Sequence, residues 1–313
     1  PRVIDLSPVA RWLLLNLVIL PFRPKHSAEA YRAIWTPEGS PLVVHSAALA
    51  DKLGALWGEA VSVRIGMQFG APSIDDALAA FRAEGIDRVC VLPMYPQYSA
   101  AGSGSAMAAV MAAAERRWVV PELCFVPAFY DDPVFIDAFA EVVQPTLAAA
   151  DADHVLMSFH GVPVRHCTRT DDSGTWCHQR DDCCDRIVDE NRSCYRAQCM
   201  ATARALQHAL GLAEGGFSVA FQSRLGRTPW IAPYTDHRLV ELARSGVRRL
   251  LVLEPSFVAD CLETLEEIGL RGTAAFREAG GEALILAPCP NSADVWAHAL
   301  VTLLTRTCGW LPR

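Results

Sequence analysis

The chain has 313 residues, 51% of them hydrophobic and 20% charged, with a formal charge of −7. That length and apolar content make a globular chain with one large domain or two packed ones, and exclude disorder. The negative balance excludes nucleic acid as the main partner, because phosphate binding needs a basic face. No apolar run reaches membrane-spanning length: the longest, 12–20, is interrupted by Asn16 and closed by Pro21. The first residue is Pro1, not Met, which points to further residues upstream, and no secretory signal is visible.

Segment 7–25 is apolar with basic flanks at Arg11, Arg23 and Lys25. It reads equally as a core helix or as a segment lying in a membrane interface, with Trp12 and the cations at head-group level. An alternation then begins. Residues 61–69 read as a strand, and Ser73 caps a helix with Asp76 three residues on. Strands at 88–93 and 123–127 alternate with helices at 105–118 and 133–150. The second half repeats the scheme, with strands at 154–159, 217–222, 248–253 and 283–287 and helices at 194–210, 235–245, 260–269 and 292–306. Strands alternating with helices make an α/β fold with parallel sheets. The halves predict two doubly wound domains with four-stranded parallel sheets, 1–148 and 149–291, the first lacking its leading strand. The helix in 292–313 is expected to pack back on the N-terminal domain.

In such folds ligands bind beyond the carboxyl ends of strands. The strand from His154 ends in Ser158-Phe159-His160-Gly161-Val162-Pro163, placing an imidazole at a sharp turn. A lone histidine there could equally hydrogen-bond a loop carbonyl. The 88–93 strand is followed by Tyr95-Pro96-Gln97-Tyr98-Ser99 and a Gly/Ser loop opening a helix, without nucleotide-motif spacing. The 217–222 strand leads into Gln222-Ser223-Arg224-Leu225-Gly226-Arg227-Thr228-Pro229-Trp230. This could face a flat acidic ligand or be a surface loop with Trp230 tucked against the sheet. Beyond 248–253, Asp260, Glu263 and Glu267 recur at i, i+3 and i+7, one face of an α-helix. Such a row is often solvated, but here it starts at a strand end in the same half as His160. A histidine facing carboxylates suits proton removal coupled to metal handling, and no nucleophile elbow surrounds Ser158.

Six of the eleven cysteines, Cys167, Cys177, Cys183, Cys184, Cys194 and Cys199, fall within 167–199. A local thiol cluster without an export signal reads as a zinc or iron–sulfur site before a disulfide framework. Their spacing matches neither a zinc ribbon nor a plant-type ferredoxin. The other five cysteines are scattered in apolar contexts and read as small hydrophobes.

In order along 7–306, these motifs, with Asp260-Cys261-Leu262-Glu263-Thr264-Leu265-Glu266-Glu267, resemble ferrochelatase. The resemblance implies a bacterial, cytoplasmic, peripherally membrane-associated lyase that inserts Fe2+ into protoporphyrin IX to form protohaem. It implies that His160 is the metal ligand or pyrrole-proton acceptor and Glu263 its partner across the cleft. Asp260 and Glu267 would extend the acidic line, Tyr95, Tyr98, Ser99 and Trp230 would line the porphyrin pocket, and 7–25 would be a lip resting on the membrane. A bacterial subgroup with an internal [2Fe–2S] cluster implies four of Cys177, Cys183, Cys184, Cys194 and Cys199 as its ligands. The choice between Cys183 and Cys184, a substitution by Cys167, and homodimerisation stay open. Departures from the family are the absent opening strand, Gln68-Phe69 where Arg-Tyr is frequent, and Cys261 where animal relatives carry histidine. Two other readings are a chelatase of the same fold for cobalt or coproporphyrin, and a non-catalytic iron–sulfur or zinc sensor.

Overall fold

A computed structural model describes residues 28–226 and 228–312, together with Ser7, Val9, Trp12, Leu13, Asn16 and Leu17. Most of the 7–25 lip, and Arg227, lie outside the described residues.

The C-terminal half is built on four parallel strands, β3 (His154–His160), β4 (Phe217–Gln222), β5 (Arg249–Leu253) and β6 (Ala283–Leu286), in the order β4-β3-β5-β6. Strand β3 pairs with both β4 and β5, so its end lies at the point where the strand order reverses. A parallel strand between two others is buried on both faces and needs an almost continuous apolar run, which β3 and β5 supply. Side chains then alternate between two cores. Val155, Met157, Phe159, Phe221, Leu251 and Leu253 enter the large core, and Leu156, Ala220, Leu250 and Val252 enter the smaller one with Leu239 and Phe276.

The N-terminal half contributes β1 (Arg88–Val91) and β2 (Glu122–Phe125), also parallel. The α/β class with parallel sheets is as expected, but among the described residues this sheet has two strands, not the three expected of a four-stranded sheet lacking its leading strand. The 61–69 segment does not form its strand; Met67 makes one isolated bridge to Ser73. The other half shows why. There the second strand, β4, is an edge strand that pairs with the first strand alone. No described strand holds the corresponding first place in the N-terminal half, so 61–66 has no ladder to join.

Residues 28–34 are helical, and from residue 41 onward the α-helices are α1 (Pro41–Trp57), α2 (Ile74–Ala83), α3 (Ser103–Glu115), α4 (Pro133–Ala150), α5 (Val164–Thr168), α6 (Tyr195–Ala209), α7 (Thr235–Arg244), α8 (Thr273–Glu278) and α9 (Asp294–Thr307). Ser73 caps α2 with the reciprocal bonds of a capping box, Asp76 N–H to Ser73 Oγ at 3.1 Å and Ser73 N–H to Asp76 Oδ2 at 3.0 Å. The expected 260–269 α-helix is instead a π-helix, Leu262–Gly272, running into α8.

Helix α4 lies at the centre, touching α6 of the C-terminal half and α9, which also packs on α1. Its anchor is aromatic: Phe135 meets Phe129, Phe139 and Trp296 with ring centroids 5.3, 5.9 and 5.9 Å apart. All four side chains are buried. Phe135→Ala removes the ring these contacts share and is expected to cost about 3–5 kcal/mol of stability, read from urea denaturation at constant slope.

Candidate functional site

The site lies at the carboxyl ends of β3 and β5, the switch point where open α/β sheets bind ligands. His160 is the last residue of β3. Its backbone N–H donates to Ser256 Oγ, just past β5, at 2.9 Å, and its ring lies 6.2 Å from that of Phe257. Nδ1 is 2.6 Å from the Gly161 carbonyl oxygen. A carbonyl only accepts, so Nδ1 carries the proton and the neutral ring keeps its lone pair on Nε2. Gly161 is required by space: a Cβ there would stand 2.6 Å from the Gln222 carbonyl oxygen and 3.2 Å from the Trp230 ring.

Gln222, the last residue of β4, ties the site together. Its carbonyl accepts from Gly161 N–H at 2.8 Å. Its side-chain oxygen accepts from Ser158 Oγ at 2.5 Å, and its amide donates to the Glu263 carbonyl at 2.8 Å. Thr235 completes this buried network at 2.8 Å from Ser158. The histidine turn and the start of the π-helix are thus held by one side chain and its own backbone.

The carboxylates separate into different environments. Glu263 sits in the first turn of the π-helix, and its Oε2 accepts from the Cys261 thiol at 3.1 Å. Glu267 accepts from Ser223 N–H at 2.8 Å and Ser223 Oγ at 2.7 Å. These bonds hold Ser223 at φ +64°, a left-handed conformation rare for serine. Asp260 is not on the helix, which begins two residues later. Its carboxylate accepts from Asn291 Nδ2 at 2.6 Å and Cys289 N–H at 3.3 Å, joining the loops after β5 and β6. The expected single-face row of three is therefore a helical pair, Glu263 and Glu267, with Asp260 in the preceding loop.

Tyr95 and its loop arrive from the N-terminal half. Burial pushes the Tyr95 phenol above its ordinary pKa, and the Glu263 carboxylate and Cys261 thiol push it further. Gly102 makes room for the Tyr95 ring, since a Cβ there would lie 3.3 Å from it. Ser99 Oγ accepts from Gly102 N–H at 2.9 Å and shapes this turn. The loop is fastened to the other half by Gln97, which donates to Thr202 Oγ1 at 3.0 Å and the Pro255 carbonyl at 3.2 Å. Tyr98 N–H donates to Gln198 at 2.6 Å. On the other side Trp230 bridges Pro163, and its ring nitrogen donates to the Leu225 carbonyl at 2.9 Å.

Three participants went unread in the sequence. Tyr31 has its phenol raised by burial, then by the Glu263 carboxylate and the Cys261 thiol, the same two groups that act on Tyr95. Gln222 signalled itself only as a polar residue closing an apolar strand. Glu254, directly after β5, is 2% exposed. Neither of its oxygens meets a partner at good hydrogen-bond geometry, although the Gln222 side chain is close enough to favour the anion. Burial raises its pKa well above the ordinary carboxyl value, and Asp260, Glu267 and Glu263 add to that. The Glu254 carboxyl is therefore biased toward its protonated form, whereas Asp260, Glu263 and Glu267 each accept hydrogen bonds.

In the 167–199 insert the thiols are buried around Cys194, which interacts with Cys167, Cys177 and Cys184; Cys183 Sγ is 3.7 Å from Cys184 Sγ. The Cys167 contact, followed by burial, raises the Cys194 thiol to about 11. Arg196 lies 3.1 Å from Cys184 Sγ. Cys199 meets the Tyr195 hydroxyl and also interacts with Cys194 and Cys184; that buried hydroxyl reaches Ser256, the partner of His160. Asp171 shapes the loop by accepting from Ser173 Oγ at 2.6 Å and from the Cys177 and Trp176 N–H groups at 2.8 Å each.

A family model described as ferrochelatase matches residues 1–308. Ferrochelatase of Pseudomonas fluorescens strain Pf0-1 is 45% identical over 98% of this chain and 89% of its own length. Ferrochelatase of Coxiella burnetii strain CbuG_Q212 is 40% identical over 98% and 85%. Among solved structures, SirB from Bacillus subtilis with Fe3+ shares the fold, with a TM-score of 0.55 at 12% identity over 85% of this chain and 91% of that one.

The raised carboxyl of Glu254 has a consequence for stability. A folded-state pKa above the unfolded one adds stability below the unfolded value, about 4.3, and loses it as pH rises through the folded value. Glu254→Gln keeps the neutral form at every pH. Its thermal midpoint is expected to gain on the parent progressively as pH rises above the unfolded value, and a constant difference would contradict the assignment.

Proposed function

The chain belongs to the ferrochelatase family and inserts ferrous iron into protoporphyrin IX to give protohaem, and from that premise we propose that His160 and Glu263 carry the proton and metal chemistry. The reaction must remove two pyrrole protons and expose nitrogen lone pairs to iron. His160 supplies a base at Nε2, because Nδ1–H is committed to the Gly161 carbonyl. Glu263 supplies a carboxyl group near enough to Tyr95 to act on its phenol, able to take the second proton or meet the incoming cation. The observation that carries this reading is the fastening of Gly161, directly after His160, and of Glu263 to Gln222 at the switch point.

Tyr95, Tyr98 and Trp230 form the walls of the macrocycle pocket, with Ser99 shaping the Tyr95 turn. A planar ring gripped between such walls can be bent, so that binding energy favours the metallation geometry. Glu267 and Asp260 keep negative charge near the pair while their own donors hold them in place. The lip rests on a membrane surface, from which an apolar porphyrin is drawn. Support comes from the exposure of Val9, Trp12, Leu13 and Leu17, continued by Tyr31, Trp35, Leu42 and Val43. No helix among the described residues is long and apolar enough to cross a membrane.

The insert holds a [2Fe–2S] cluster. The donor set fits: buried soft thiols gathered round Cys194, with Arg196 beside Cys184 to offset thiolate charge. The interactions of Cys194 favour Cys167 with Cys177, Cys184 and Cys194 as ligands, with Cys183, beside Cys184, and Cys199, which also interacts with Cys194 and Cys184, as the alternatives. When bound, the cluster supplies cross-linking of the loop and redox sensitivity, and it takes no part in metallation.

Under anaerobic assay with ferrous iron and protoporphyrin IX, His160→Ala and Glu263→Gln should each lower kcat about 10²–10⁴-fold. Porphyrin binding, followed by tyrosine and tryptophan quenching, should persist. Unchanged turnover in either variant would remove that residue from the chemistry. Cys194→Ser should bleach visible cluster absorption yet leave turnover measurable in folded protein; complete loss of turnover there would contradict a structural or sensory role.

A further inference from the structure

Cysteines that look scattered along the chain meet in the fold. Cys90 and Cys124 are direct register partners on the parallel strands β1 and β2. Cys308 caps the end of α9 and comes down on them from 218 residues beyond Cys90. The three sulfurs all lie within 4.8 Å of one another, and among the described residues no other set of three His, Cys, Asp or Glu side chains gathers its ligand atoms so closely. Cys308 is buried and the two strand cysteines are partly buried. Cys90 and Cys308 form a disulfide, with the Cys124 thiol beside it, 3.9 Å from the Thr307 carbonyl oxygen.

We propose that Cys90, Cys124 and Cys308, in their reduced form, are a binding site for a thiophilic d¹⁰ cation of the zinc type, which clips the end of α9 to the N-terminal sheet. The donor set decides the class of ion. Three thiolates without carboxylate or imidazole disfavour hard cations and select soft ones. Tetrahedral zinc with sulfur ligands at about 2.3 Å needs sulfurs about 3.8 Å apart, a spacing this group reaches by small side-chain shifts. A fourth place remains for water or the Thr307 carbonyl.

A disulfide with a third thiol in contact is open to exchange, unlike an isolated buried staple. Two molecules of a low-molecular-weight thiol reduce the Cys90–Cys308 bond and leave as their own disulfide, their protons passing to the two cysteine sulfurs. Zinc binding then replaces three S–H protons, which go to solvent, with three S–Zn bonds. The ion binds only where all three elements are docked, so it stabilises the folded chain. The site is separate from the 167–199 insert, whose thiols surround Cys194.

The test uses the full chain with its cluster loaded, reduced with a phosphine, exposed to a small excess of zinc sulfate and gel-filtered without oxygen. Zinc per chain is expected to be one equivalent higher in the parent than in Cys124→Ser. That variant leaves the disulfide partners untouched and changes only a partly buried side chain. The parent's thermal midpoint should rise on zinc addition, and the rise should disappear in Cys124→Ser and in Cys90→Ser. Equal zinc content and equal midpoint shifts in parent and variants would overturn the site. Because the comparison is a difference, zinc taken up elsewhere, including by insert thiols lacking a cluster, cancels.

Discussion

The site depends on what Gln222 can reach. Three of its polar atoms are engaged with the Gly161 backbone, the Ser158 hydroxyl and the Glu263 carbonyl. A buried amide that leaves a partner unsatisfied costs far more than a made bond returns, so a network this complete specifies one arrangement. Strand β4 fixes Gln222, Gln222 fixes the turn after His160, and the same side chain fixes where the π-helix begins. The histidine and the glutamate are 103 positions apart in sequence, yet their separation in space depends on a single residue's geometry.

The π-helix belongs to this constraint. Glu263 and Glu267 lie four residues apart, about one turn of its wider winding, while Asp260 stays in the preceding loop, where Asn291 and Cys289 hold it. Glu267 then reaches back to β4 and holds Ser223 in a left-handed conformation directly after Gln222. Helix and strand end brace each other at two successive residues. Glu254, with no good hydrogen-bond partner, adds a buried carboxyl whose pKa burial and these neighbouring carboxylates push upward.

Much of this was legible in sequence because it is local. The apolar run of β3 ending in His160-Gly161, the Ser73 capping box and the alternation of strands and helices follow from periodicity and turn chemistry. The strand ends that carry Tyr95, Trp230 and Glu263 follow from the same alternation. What was not legible depends on contacts between distant segments. The 61–69 run has strand composition, but a strand exists only with a neighbour. The i, i+3, i+7 row suits an α-helix, and the start of the π-helix is set by Cys261 and Gln222, not by that row. Cys90, Cys124 and Cys308 read as isolated hydrophobes because only the β1–β2 register and the end of α9 bring them together.

The most direct measurement of the central claim is a crystal structure of the protein with protoporphyrin IX and no iron. The account predicts the macrocycle between the Tyr95 loop and Trp230, with His160 Nε2 directed at the pyrrole nitrogens and Glu263 at the same slot. A porphyrin bound elsewhere, or a Gln222 that releases Glu263 when the ring binds, would contradict it.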